Sequence, residues 1–155
     1  MTYNSTWRPT QVGEEAATPL ATERSYSQIE SDEDRTAIGR WCEVYVNRLL
    51  TNEPGRFTQV EWANATGESG KPYDFKVVEH GVEKYIEVKG TPSVDKAEFY
   101  FSTSEWRVLF EQQERYSVYR VFEAGKPTAR LAVIEYPSAE LVKGKLLPTR
   151  ITLKL

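Results

Sequence analysis

Along residues 38–50, apolar side chains recur at Ile38, Trp41, Cys42, Tyr45, Val46, Leu49 and Leu50. Steps of three and four predict an amphipathic helix with one buried face. Ser31, with Asp34 three residues on, offers an N-cap in a variant of the capping box, and "TNEPG" ends the helix. The period then shortens to two. "FTQVEWA" (57–63), "YDFKVVE" (73–79), "EKYIEVKG" (83–90) and "FYFS" (99–102) read as strands. "SEWRVLFEQQ" returns to helix, with Ser102 and Glu105 in capping-box spacing. "YSVYRVFEA" (116–124) and "RLAVIEY" (130–136) read as strands, "SAELVKGKL" as a helical turn ending at Gly144, and "TRITLKL" as a last strand. This order predicts an α/β fold with a mixed central β-sheet flanked by helices.

Residues 1–33 differ in kind. They carry prolines and small polar residues with no apolar period, which predicts a flexible polar and acidic arm or linker. Trp7 and Tyr26 are its candidate docking residues. A single folded domain is expected over 34–155, and a 39% apolar share is enough for its core. Charge divides the same way. Residues 1–34 hold two basic and seven acidic residues, against 18 and 16 in the remainder. The net charge of −3 therefore combines an acidic arm with a slightly basic body, which is no strong nucleic-acid signal. Mean hydropathy is −0.57 and no run approaches ~18 apolar residues, so no membrane span is expected. The N-terminus lacks a secretory pattern, which predicts an intracellular protein, cytoplasmic or nuclear and not secreted. One cysteine, Cys42, excludes a disulfide framework and a cysteine-rich zinc site. One histidine, His80, leaves histidine-based catalysis resting on a turn residue.

Candidate chemistry comes from one hairpin. His80-Gly81 fits a two-residue turn. That register sets Glu79 opposite Val82, Lys76 opposite Tyr85, and Asp74 opposite Glu87. Asp74, Lys76, Glu87 and Lys89 then share one face. Two carboxylates directly across a ladder repel each other unless a cation lies between them. Oxygen donors without sulfur or imidazole suit Mg²⁺ or Mn²⁺. Such a cation would bind a phosphodiester oxygen and acidify a bound water. Lys89 would orient or deprotonate that water, or stabilise charge developing on phosphorus. Glu43 lies at the edge of the helical apolar stripe one turn after Gly39, where a close approach is open. It could complete the metal shell or hold a metal-bound water; an ordinary boundary acid is the plainer reading. Lys71, Lys76, Ser104 and Arg120 are candidate substrate contacts. Arg120 shares its face with Val118 and Phe122, so it needs an internal acid or a phosphate. Glu105 reads first as a cap and Trp106 as core, while Trp62 and Asn64 either pack or line the site.

"PYDF" followed by "IEVKG", with twelve residues between Asp74 and Glu87, resembles the PD-(D/E)xK nuclease superfamily. Asp74 matches the acid of its first motif, Glu87 and Lys89 its E-x-K half, and Glu43 in "IGRWCE" its early helical glutamate. Pro72 stands two residues before the aspartate rather than next to it. A narrower resemblance runs from about residue 35 to the end. "IGRWCEVYVNRLL", "YIEVKGT", "FYFSTSEW", "YSVYRVFEA" and "KGKLLPTRITLKL" are similar to the NO VEIN C-terminal domain family. These resemblances imply a restriction-endonuclease-like core, with Asp74, Glu87, Lys89 and Glu43 as catalytic residues. They imply Mg²⁺ or Mn²⁺ on Asp74, Glu87 and the Val88 backbone carbonyl, with Glu43 joined through water. They also imply a nucleic-acid substrate, DNA first, a partner such as an ATPase or helicase module, and room for a homodimer. Two alternatives stay open: a non-catalytic nucleic-acid-binding module, and a protein-interaction domain whose acids pair with Lys89 and Arg120.

Overall fold

The first helix forms where the apolar period places it. In the computed structural model, which describes residues 31–53 and 55–151, α1 spans Asp32–Thr51. The Ser31 side chain accepts from the Asp34 N–H, and Asp32, Glu33 and Asp34 place negative charge in the first turn, where the helix dipole favours it. Ile38, Cys42, Tyr45, Val46 and Leu50 form its buried face.

Five strands follow: β1 Phe57–Trp62, β2 Phe75–Glu79, β3 Val82–Gly90, β4 Tyr116–Phe122 and β5 Arg130–Glu135. They form one mixed sheet in the order β1-β2-β3-β4-β5. β1, β2 and β3 are an antiparallel meander, β4 runs parallel to β3, and β5 is antiparallel to β4. The parallel step needs a crossover, which a loop and α2 (Thr103–Gln112) provide. α2 carries the full capping box: the Ser102 side chain accepts from the Glu105 N–H, and the Glu105 side chain accepts from the Ser102 N–H. A 3₁₀ turn over Gln113–Arg115 leads into β4, and α3 spans Pro137–Val142. No described helix is long and apolar enough to cross a membrane.

The hairpin register is the expected one. Glu79 pairs with Val82, Lys76 with Tyr85, and Phe75 with Ile86. His80 and Gly81 both have positive φ, as the tight turn requires. Alternation along the strands then divides the core. Phe75, Val77, Ile86, Tyr119 and Val121 meet α1 on one face. Tyr116 and Val118 meet Val108 and Leu109 of α2 on the other.

One expected strand is absent, and a second does not form over its described residues. Residues 99–102 are not in a strand, because β4 already fills the position beside β3. The segment is instead held by side chains: Arg120 Nη2 donates to the carbonyls of Lys96 (2.6 Å) and Glu98 (3.0 Å). Residues 149–151 are also not in a strand, and the rest of that segment lies outside the described residues, as does the arm over 1–30 with Trp7 and Tyr26. The close approach expected at Gly39 falls elsewhere too. A Cβ at Gly39 would meet nothing, whereas one at Gly90 would collide with Cys42 Sγ. α1 therefore lies tightest on the end of β3. Gly90→Ala is expected to cost about 1–3 kcal/mol. In denaturant melts, adding Cys42→Ala should recover part of that loss; strictly additive costs would contradict this contact.

Candidate active site

Asp74 directly precedes β2, where the ladder with β3 stops. Its N–H still donates to the Ile86 carbonyl at 2.9 Å. Its side chain then turns to β3: Oδ2 accepts from the Val88 N–H at 2.8 Å, while Oδ1 accepts from Asn64 Nδ2 at 2.9 Å. Asn64 is itself buried and fixed. Its Oδ1 accepts from the Ser69 N–H, and its carbonyl accepts from Arg40. The N–H and C=O of one strand residue point toward the same neighbouring strand. The Val88 carbonyl thus faces the same gap beyond the end of β2 that Asp74 enters.

Glu87 and Lys89 project from β3 on the α2 side of the sheet. Glu87 is buried at 5% exposure. Lys89 Nζ lies 2.7 Å from Glu87 Oε1 and 2.6 Å from Glu105 Oε2. Glu105 is thus more than a cap. The oxygen that caps α2 also grips Lys89, tying the helix start to the strand. Sequence reasoning gave Glu105 only the capping role; the available signal was its place as the third residue of a helix following the crossover from "EVK". Glu43 projects from α1, where the Trp62 indole donates to its Oε2 at 2.7 Å and Arg40 stacks over Trp62.

Charge within the cluster is unbalanced. Burial pushes the Asp74 carboxyl up to about 7; the Val88 N–H opposes this and the Glu43 charge adds to it. Burial also pushes Glu87 up to about 8, with the Asp74 charge adding and Lys89 opposing. Burial alone would lower the Lys89 pKa, but Glu87 and Glu105 outweigh it and hold the ammonium above the ordinary lysine value. Lys89 is therefore a cation at neutral pH, suited to charge stabilisation and not to taking a proton.

The remaining candidates separate. Lys71 and Lys76 both pair with Glu61, and Lys76 also with Glu83. Ser104 is exposed in the first turn of α2, with its hydroxyl 3.1 Å from that of Ser102. Arg120 is buried at 4% exposure and its partners are the loop carbonyls, so its guanidinium meets neither an acid nor open solvent. His80 sits in the exposed turn at the far end of β2. Trp106 is 38% exposed, so it borders the core instead of filling it.

The donor set fits a hard divalent cation in its chemistry: carboxylate oxygens whose burial, with neighbouring acids adding to it, raises their pKa values. Among the described residues no group of three or more His, Cys, Asp or Glu side chains is placed to hold a metal. In this arrangement the Lys89 ammonium holds the cation's place beside Glu87, and a metal would require it to withdraw from Oε1.

The raised acids fix the direction of a pH effect. Between about pH 4, where unfolded carboxylates ionise, and pH 7–8, folded Asp74 and Glu87 keep protons that the unfolded chain has released. Their contribution to stability is full below that window and is lost as pH rises through it. In chelator, the melting temperature should fall between pH 5 and 8, and Glu87→Gln should flatten that fall. An equal slope in the variant would contradict the assignment.

Comparison with known proteins gives a family but little chemistry. The family described as "Protein NO VEIN, C-terminal" matches residues 42–134, a span from mid-α1 into β5 that contains Glu43, Asp74, Glu87, Lys89 and Glu105. "Protein NO VEIN-LIKE" of Arabidopsis thaliana is 34% identical over 84 residues, which make up 54% of this chain and 13% of that protein. This chain thus corresponds to a small part of that relative. No solved structure matches it. With the family's span covering the sheet and every acid of the cluster, the chain belongs to the NO VEIN C-terminal family.

Proposed function

We propose that this domain is a metal-dependent nuclease of the PD-(D/E)xK type, with a restriction-endonuclease-like core, acting on nucleic acid and first on DNA. One observation carries the reading. Asp74 and Glu87 are brought together at the end of a strand pair beside a single ammonium, Lys89. Buried like charges of this kind are costly to a fold and cluster at functional sites. The placement of the D and E-x-K residues on adjacent chain segments, with Glu43 nearby on α1, also supports it.

Asp74, Glu87 and the Val88 carbonyl would hold Mg²⁺ or Mn²⁺. Bound there, the ion would polarise a phosphodiester oxygen and acidify a water. The protein's own groups do the rest. Asn64 and the Val88 N–H orient Asp74. The Trp62 indole orients Glu43 toward the site, where it would reach the ion through water. Lys89, kept charged by its two carboxylates, stabilises negative charge on the phosphoryl oxygens as the bond to the leaving oxygen breaks. Glu105 is its positioning residue. Ser104, one residue before Glu105, would contact substrate, and Lys71 and Lys76 would do so by leaving Glu61, whereas Arg120 holds the loop over residues 96–98. A larger assembly, with an ATPase or helicase module or a second copy, would supply further grip on a duplex, since the body is only slightly basic.

One observation favours a second reading, a non-catalytic binding module. Lys89 is already clamped between Glu87 and Glu105, and that internal pairing could itself be the stable state. The two part under one experiment. Supercoiled and single-stranded DNA are incubated with Mn²⁺ or Mg²⁺, using wild type beside Lys89→Ala and Asp74→Ala. The nuclease reading expects cleavage by wild type and a loss on the order of 100-fold or more in either variant. It also expects Mn²⁺ to raise the wild-type melting temperature, more at pH 8 than at pH 6 because protons compete for the same oxygens, with Asp74→Ala abolishing the rise. Cleavage unaffected by Lys89→Ala, or no ion-dependent stabilisation at either pH, would sink it.

A further inference from the structure

Beside Lys89 the surface changes from charged to aromatic. Phe99 and Phe101 lie 5.4 Å apart, Phe101 and Trp106 6.0 Å, and Trp106 and Phe110 5.2 Å, measured between ring centroids. Lys89 Nζ lies 5.7 Å from the Phe101 ring, so the strip begins at the site. It does not end in the core. Trp106 is 38% and Phe110 43% exposed, and Tyr100, next to Phe101, is 85% exposed.

The loop that carries Phe99, Tyr100 and Phe101 is held in place. Arg120 grips the carbonyls of Lys96 and Glu98 from below, with Phe99 5.6 Å from its guanidinium. The Glu123 N–H donates to the Ser93 carbonyl, and Arg130 donates to the Val94 carbonyl. A buried arginine whose Nε lacks a hydrogen-bond partner is a costly anchor for a surface loop. Its effect is to fix Phe99 and Phe101 against α2 and leave Tyr100 standing in solvent.

We propose that this strip, with Trp106 and Phe110 at its exposed positions and the neighbouring Tyr100 standing in solvent, is a stacking platform for unpaired bases, so that the site takes single-stranded nucleic acid. The inference deepens the nuclease reading and rests on it for the strand's path toward Lys89. Bases in a duplex hide their faces in their own stack, whereas unpaired bases offer them to aromatic rings. Charge around the strip is mixed: exposed Arg107 pairs with Glu111, and Lys96 lies two residues from Glu98. Stacking, not phosphate neutralisation, would dominate, so binding should depend only weakly on salt.

The test is fluorescence anisotropy of a labelled oligothymidylate with the full chain in chelator, where no metal-dependent cleavage can occur. Wild type is expected to bind it, and to prefer it to a duplex of the same length. Tyr100→Ala and Trp106→Ala should each weaken binding on the order of tenfold. Tyr100→Ala should do so with an unchanged melting temperature, since that ring buries almost nothing, and Trp106→Phe should restore most of what Trp106→Ala loses. No binding, equal binding by wild type and both variants, or equal affinity for duplex would overturn the platform. So would self-association through this face, lost in Trp106→Ala, without oligonucleotide binding. Because the readout excludes cleavage, the two ideas fail separately: binding without any Mn²⁺-dependent cutting sinks catalysis alone, and cutting without single-strand binding sinks the platform alone.

Discussion

Three carboxylates, Asp74, Glu87 and Glu105, converge on one ammonium, and the architecture around them follows from that imbalance. In water four such groups would interact weakly; inside the fold burial, with the neighbouring carboxylates adding to it, pushes Asp74 and Glu87 toward neutrality at physiological pH. The fold holds Glu87 on Lys89 and fixes the acids around it with neutral donors. Asp74 has the Val88 N–H and Asn64, Glu43 has the Trp62 indole, and Glu105 has the Ser102 N–H. Such donors hold a carboxylate in place without cancelling its charge, which leaves the negative field available to a bound cation.

The scaffold reads as a set of devices for reaching that arrangement. The tight His80-Gly81 turn sets the register that puts Phe75 opposite Ile86, and so delivers Asp74 to the ladder's end. Gly90 lets α1 press onto the end of β3, bringing Glu43 to the same end of the sheet. The capping box of α2 fastens Glu105 where the same carboxylate meets Lys89. Arg120, set one strand over from Lys89 in the parallel ladder, turns away from it toward the loop carbonyls, so two cations on neighbouring strands do not compete for the same acids.

Most of this scaffold was legible in the sequence because its signals are local. The i, i+3, i+4 pattern marked α1, and the His80-Gly81 turn fixed the hairpin register as far as Phe75 and Ile86 and the shared face of Glu87 and Lys89; Asp74, expected opposite Glu87, instead lies just beyond the ladder with its side chain on the Val88 N–H. What local pattern could not supply was the use of side chains at a distance. "FYFS" alternates like a strand, yet Phe99 and Phe101 pack toward α2 and a buried arginine, Tyr100 stands in solvent, and β4 takes the ladder. Arg120 was expected to meet an acid or a phosphate, but its Nη2 instead donates to backbone carbonyls more than 20 residues away. Glu105 looked complete as a cap, since nothing in a helix-start motif reveals that the same oxygen will meet a lysine from a strand. Gly39 had the spacing of a close approach, but α1 makes that contact through Cys42 at Gly90.

The central claim is that the cation demanded by Asp74 and Glu87 is a metal, with Lys89 standing beside it. The most direct measurement is an anomalous-scattering map from crystals of the protein grown with Mn²⁺. The account predicts a peak bonded to Asp74, Glu87 and the Val88 carbonyl, with Lys89 drawn off Glu87 and still held by Glu105. A map with no peak, and Lys89 still clamped between Glu87 and Glu105 at saturating Mn²⁺, would contradict it.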